Sequence, residues 1–415
     1  MNLLKRKSIL FGTAIGIFAI GGYFGLSFIP DETYRAESSS SKVETDKLAE
    51  GKTLPVKSAF PSVTHIKTPE PLKAIYMTSC VASTPSWRGK MAKLVEDTEL
   101  NAMIIDIKDY SGTISIQTEN PIFKENGGKG CRVSDMRQFI VELHGKGIYV
   151  IGRVTVFQDP YYTKIYPEQA VKRLSDGGVW KDRKGLSFVD VGAKPYWDYI
   201  VALSKESYDM GFDEINFDYI RFPSDGDMKD INFTLSGGHT KAEALKNFFV
   251  YLRDQLKPTG MVMSADLFGM TTTNTDDLNI GQVLENTLPY FDYVAPMVYP
   301  SHYPPKFNGW ADPNKHPYDI VKFSMSRAVE RAEATTTTIF IDGESRIGTT
   351  TPAVYTKPSF DRKKLRPWLQ DFSYPVTYTP EMVKTQIQAT YDSGLTSWML
   401  WDPGNKYTAS ILQKE

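Results

Sequence analysis

The chain has 415 residues, 41% of them hydrophobic and 13% aromatic, with 48 basic against 49 acidic side chains. That composition excludes disorder as the overall state, and the near-neutral charge removes the cationic footprint that a nucleic-acid partner demands. Length leaves the domain count open, because a single α/β barrel spans about 200 to over 400 residues.

Lys5, Arg6 and Lys7 precede an uncharged, apolar run from Ser8 to Ile29. A spanning helix needs about 20 such residues, whereas a cleaved secretory signal has an apolar core of about 7 to 15 and then a small-x-small site. The run ends instead in Phe28-Ile29-Pro30-Asp31-Glu32, so residues 1–30 are expected to form an N-terminal transmembrane helix, the alternative being a long cleaved signal. The basic triplet stays on the cytoplasmic side, which puts everything after Pro30 outside the membrane. Residues 31–71, with the serine run 38–41 and Pro55, Pro61, Pro69 and Pro71, read as a disordered linker.

From residue 72 onward, β-rich runs alternate with helical stretches, the pattern of a parallel sheet or barrel. The runs are Lys73–Ser79, Ala102–Lys108, Ile148–Phe157, Glu214–Phe222, Val262–Phe268, Tyr293–Tyr299, Lys364–Phe372 and Ser397–Trp401. Helices are expected over Trp87–Thr98, Val133–Lys146, Tyr196–Met210, Lys241–Leu256, Asp319–Ala334 and Pro380–Ser393, several of them closed by glycine. Eight strands make a (β/α)8 TIM barrel over residues 72–415. The seventh is ambiguous: Ile339-Phe340-Ile341 competes with the Lys364 run, which contains Pro367.

The two cysteines, Cys80 and Cys131, could be bonded outside the cell or remain buried thiols. The five histidines are scattered without H-x-H or H-E-x-x-H spacing, and no C-x-x-C, G-x-S-x-G or Walker A pattern occurs. No metal ligand set and no cofactor is therefore expected.

A barrel of this kind builds its active site at the C-terminal ends of its strands. Here those ends are acidic and aromatic: Asp106 and Asp109, Asp218-Tyr219 with Arg221, Asp266, Tyr299, Gln370-Asp371, and Trp401. Two carboxylates across a cleft suit cleavage of a glycosidic bond, one protonating the leaving oxygen and the other attacking the sugar or activating water. Adjacent strands four and five supply Asp218, expected as nucleophile or base, and Asp266, expected as general acid. Arg153 and Arg221 could hold one carboxylate ionised while apolar walls raise the pKa of the other. Trp401 and Tyr299 offer flat faces for sugar rings. Arg153, Arg221, Asp106, Asp109, Tyr219, Gln370 and Asp371 complete the expected substrate contacts. The bland reading is that these carboxylates cap loops or pair with arginines.

The segment Gly211-Phe212-Asp213-Glu214-Ile215-Asn216-Phe217-Asp218-Tyr219-Ile220-Arg221-Phe222-Pro223 resembles the strand-four signature of a glycosyl hydrolase family catalogued as domain of unknown function 4015. Ser264–Gly269, Ala295–Pro300 and Arg366–Phe372 also resemble that family. The resemblance implies a (β/α)8 barrel acting on a polysaccharide. A more distant likeness is to family 18 chitinases, through Met297-x-Tyr299 and Trp401, but Ile220 stands where they carry the catalytic Glu and Asn216 replaces an Asp.

The sequence thus predicts a membrane-tethered extracellular glycosidase acting on a cell-envelope or secreted polysaccharide; nothing in it fixes an oligomeric state. The rivals are a sugar-binding barrel without catalysis and a metal-dependent deacetylase or amidase.

Overall fold

A computed structural model describes residues 64–414 except 124–125, 127–129, 340–345 and 348–352. The expected membrane segment 1–30, most of the linker 31–71, and Phe340-Ile341 lie outside the described residues. Among the described residues no helix is long and apolar enough to cross a membrane.

Eight parallel strands close into a barrel in simple sequential order. They are β1 (Lys73–Met77), β2 (Ala102–Lys108), β3 (Tyr149–Thr155), β4 (Glu214–Asp218), β5 (Val262–Phe268), β6 (Tyr293–Met297), β7 (Trp368–Gln370) and β8 (Trp398–Trp401). The helices that follow are α1 (Pro85–Asp97), α2 (Met136–Gly145), α3 (Lys194–Met210), α4 (Lys241–Leu256), the one-turn α5 (Leu284–Thr287), α6 (Pro317–Glu333) and α7 (Pro380–Asp392). Proline sits in the first turn of α1, α3, α6 and α7, where its missing N–H costs nothing. Thr240 and Glu243 form a reciprocal capping box on α4.

Strand seven comes from the Lys364 run, shortened so that Pro367 precedes the paired residues. Thr336–Thr337, just before Ile339, instead joins a small antiparallel sheet with Val354–Thr356 and Arg346–Ile347. β4 also stops earlier than its apolar pattern suggests, because Tyr219 takes φ +51° and turns the chain out of the sheet. Gly152 of β3 is required by close packing: a Cβ there would lie 2.1 Å from Ile107 Cδ1.

Side-chain alternation divides the strands between two environments. Ile75, Ile105, Val150, Ile215, Phe217, Ala265 and Leu267 point outward into the main core beneath the helices. Tyr76, Ile104, Ile151, Ala295, Trp368 and Met399 fill the barrel interior. The interior is polar at two levels. Near the base, Arg366 donates to Glu214 at 2.9 Å and Tyr149 Oη donates to the same carboxylate at 3.1 Å. Residues 64–71 cross this base, with Ile66 N–H donating to Asp213 at 2.8 Å and Thr68 against the Tyr149 hydroxyl at 3.0 Å. The second polar level lies at the other end, the mouth.

Candidate active site

Parallel register aligns the mouth. Asp106 is opposite Arg153, Arg153 opposite Asn216, and Asn216 opposite Ser264, so these side chains and the next inward pair, Asp218 and Asp266, share one face. Asp218 and Asp266 therefore converge on the interior from adjacent strands, β4 and β5. Asp218 is 6% exposed and Asp266 1%.

Arg153 is the hub. Its Nη1 donates to Asp106 at 2.7 Å, while Nε at 3.1 Å and Nη2 both donate to Asp218 Oδ2. Tyr76 Oη donates to the other oxygen of Asp106 at 2.5 Å. The guanidinium lies 5.0 Å from the Trp401 ring and 5.6 Å from that of Tyr76, and these two rings stack at 3.9 Å. Two carboxylates and two aromatic faces thus fix a buried cation that would otherwise be costly. Asp106 is nevertheless pushed up to about 6, because burial outweighs the arginine and the tyrosine hydroxyl.

Asp266 has a different setting. Asn216 Nδ2 at 2.9 Å and Trp368 Nε1 at 2.8 Å both donate to its Oδ1. Burial, reinforced by the charge of Asp218, raises its pKa well above the ordinary carboxylate range, against the opposing pull of Asn216, Arg153 and Trp368. One carboxyl pairs directly with a cation and the other is desolvated, a division of environments that separates base from acid in carboxylate pairs.

Backbone geometry serves Asp218 too. Tyr219 at φ +51° is an uncommon conformation for a bulky residue, and it lets the Tyr219 N–H donate to Asp218 Oδ1 at 2.6 Å. Gln282 ties the ends of the neighbouring strands together: Nε2 donates to Ile220 O at 3.2 Å and Asp266 O at 3.3 Å, and Oε1 accepts from Phe268 N–H at 2.9 Å.

The remaining expected residues divide into three groups. Trp401, partly exposed, and the buried Tyr299 border the carboxylates, and Tyr299 is raised by burial and then by the charges of Asp266 and Asp218. Arg221 and Tyr219 lie on the loop after Asp218; Arg221 makes no ion pair among the described residues, and its guanidinium faces the rings of Tyr219 and Phe268. Asp109, Gln370 and Asp371 make loop contacts. Asp109 accepts from Ser111 N–H at 2.8 Å. The Gln370 amide donates to Phe372 O and Tyr374 O at 3.0 and 3.2 Å, and Asp371 accepts from Thr408 N–H at 2.8 Å.

Tyr76, Trp368 and Gln282 carry no role in the sequence reading, whereas Asn216 stands out there as the replacement of an Asp. The two-residue period marks Tyr76 and Trp368 as inward, since Tyr76 alternates with Ile75 and Trp368 with Leu369. Gln282 lies in a loop and carries no such signal. Among the described residues no group of three or more His, Cys, Asp or Glu side chains is arranged to hold a metal ion. Cys80 and Cys131 form a disulfide, with Cα atoms 4.9 Å apart, that ties the loop after β1 to the loop after β2.

A closed parallel barrel with a carboxylate cluster at the C-terminal mouth is an architecture that glycosidases use. The chain belongs to the family described as "Putative glycosyl hydrolase domain", whose model matches residues 74–407. Among solved structures, it resembles a hypothetical protein from Ruminiclostridium thermocellum at 33% identity, covering 50% of this chain and 98% of that one, with a TM-score of 0.43. It shares the fold of the PgaB (BpsB) glycoside hydrolase domain from Bordetella bronchiseptica at 12% identity, covering 83% of this chain and 99% of that one, with a TM-score of 0.56. It is also similar to a GH18 chitinase from Pseudoalteromonas aurantia at 12% identity, covering 82% of this chain and 97% of that one, with a TM-score of 0.46. No curated protein matches the chain at a significant level.

Proposed function

We propose that this glycosidase acts outside the cell, tethered by its N-terminal segment, on a cell-envelope or secreted polysaccharide, with Asp218 as nucleophile or base and Asp266 as general acid. The observation that carries the reading is the convergence of these two carboxyls on one interior face in opposed electrostatic settings. Two N–H donors occupy Oδ1 of Asp266, which leaves Oδ2 to carry the proton delivered to the leaving oxygen. Asp218, fixed by Arg153 and the Tyr219 N–H, is aligned to attack the anomeric carbon or to deprotonate a water. Tyr76 and Asp106 hold Arg153, and Trp401 supplies an apolar face at the rim.

The location outside the membrane is supported by the basic triplet before the apolar run and by the disulfide, which persists in oxidising compartments. The polysaccharide is supported by the family and by the aromatic rim.

The second reading is a sugar-binding barrel without turnover. The 1% exposure of Asp266 favours it, because a proton donor must come within hydrogen-bond reach of the leaving oxygen. Incubating the full chain with envelope polysaccharides and assaying new reducing ends separates the two. Product release supports the enzyme; saturable binding without product supports the rival.

A further inference from the structure

Arg221 follows Asp218 by three positions, on the loop that leaves β4 for the rim. Three rings surround its guanidinium: Phe268 at 4.9 Å, Tyr219 at 5.0 Å and Phe188 at 5.8 Å. Its Nη1 donates to Phe222 O at 3.1 Å and to Ser224 Oγ at 3.3 Å, both neutral acceptors. Nε and Nη2 make no hydrogen bond within the described residues, and the side chain is only half-buried. The acidic groups nearest it are committed elsewhere. Asp218 pairs with Arg153, Asp182 accepts the N–H groups of Lys184 and Leu186, and Asp225 pairs with Arg183. Burial lowers the pKa of Arg221, so its charge is incompletely compensated by the protein.

The other arginines of the barrel interior, Arg153 and Arg366, each have a carboxylate partner. A half-buried guanidinium with an open donor edge and no carboxylate paired to it is a binding device for an anion, since its planar fork matches carboxylate and phosphate alike. Rigidity adds to this. Gln282 fixes the Ile220 and Phe268 backbones on either side of the guanidinium, so little ordering remains to be done on binding. Tyr219 and Phe268 are partly exposed beside it, giving the sugar that bears the anion apolar faces to lie on.

We propose that Arg221 binds an anionic substituent of the sugar beside the scissile bond, which makes the substrate an acidic glycan. This rests on the glycosidase reading above and narrows its substrate class. The anion is either a uronic-acid carboxylate or a phosphate carried on the glycan.

The test is calorimetric binding to the full chain carrying Asp218→Asn, which removes turnover from the readout. The probes are glucuronate- and galacturonate-bearing oligosaccharides, a glycerol-phosphate oligomer, and neutral gluco- and chito-oligosaccharides of equal length. The expected result is that an acidic probe binds at least tenfold more tightly than the neutral ones, with the uronate and phosphate arms identifying the source. Adding Arg221→Gln should abolish that preference, and Arg221→Lys should restore part of it. Thermal unfolding confirms that each variant is folded. Equal affinity for neutral and acidic probes, absence of binding by every acidic probe, or an unchanged preference in Arg221→Gln would overturn the assignment. If acidic probes bind through Arg221 but the wild-type chain releases no reducing ends from the corresponding glycans, the anion site stands and the hydrolase reading falls.

Discussion

Asn216 and Asp266 meet across β4 and β5, the amide Nδ2 of one donating to Oδ1 of the other at 2.9 Å. Chitinase-like motifs carry an aspartate at this position. A third carboxylate beside Asp218 and Asp266 would add like-charge repulsion in a buried site, whereas the amide offers a donor without charge. The pair favours the ionised form of Asp266, against the burial and the Asp218 charge that raise its pKa.

The rate should follow that proton. A general acid works in its protonated form, so turnover is expected to fall as pH rises through the raised pKa of Asp266. Trp368→Phe removes an N–H that favours the ionised form, and the basic limb of the pH–kcat/KM profile should move to higher pH. A limb unmoved in Trp368→Phe would detach Asp266 from the acid role.

Asp371 predicts a pH dependence of stability that is separate from activity. Burial raises it from 3.8 to about 6 although Thr408 donates to it twice. Its folded pKa exceeds the unfolded value, so its contribution to stability is complete below about pH 4 and is lost as pH rises through about 6. The whole difference corresponds to about 3 kcal/mol. Asp371→Asn keeps an acceptor for Thr408 and does not titrate, so its stability relative to wild type should be greater at pH 7.5 than at pH 4.5 by about 2 kcal/mol, the remainder being lost already below pH 4.5 as the unfolded carboxyl ionises. Denaturant unfolding at the two pH values checks this, and parallel changes in both proteins would refute it.

The disulfide closes a loop with a sequence separation of 51 residues between Cys80 and Cys131. Replacing both with serine should cost about 2 to 4 kcal/mol of stability, chiefly by freeing the unfolded chain. Thermal unfolding of the double variant with and without reductant measures it: the variant should melt lower than oxidised wild type and be insensitive to reductant.

How much of this could be read from the sequence depended on range. The β2 run Ala102–Lys108 and helix α4 match their expected bounds, because apolar periodicity and caps are local signals. The end of β4 was misjudged because Ile220 and Phe222 continue the apolar alternation while Tyr219 breaks the strand through its backbone angle, which composition does not encode. Asp218 and Asp266 were visible as acidic strand ends. The partners that differentiate them were not: Arg153 comes from β3, Trp368 from a strand 102 residues from Asp266, and Gln282 from a loop. Their proximity follows from barrel closure. Gln370 and Asp371 are expected at the site for the same positional reason, and their side chains also brace Phe372, Tyr374 and Thr408.

The central claim is that Asp218 and Asp266 act as one carboxylate pair. The most direct measurement compares reducing-end release by the wild-type chain with release by Asp218→Asn and Asp266→Asn on the same polysaccharide. Each variant should lose about 10²- to 10⁴-fold in kcat while remaining folded. Turnover in Asp218→Asn equal to that of wild type would contradict the account.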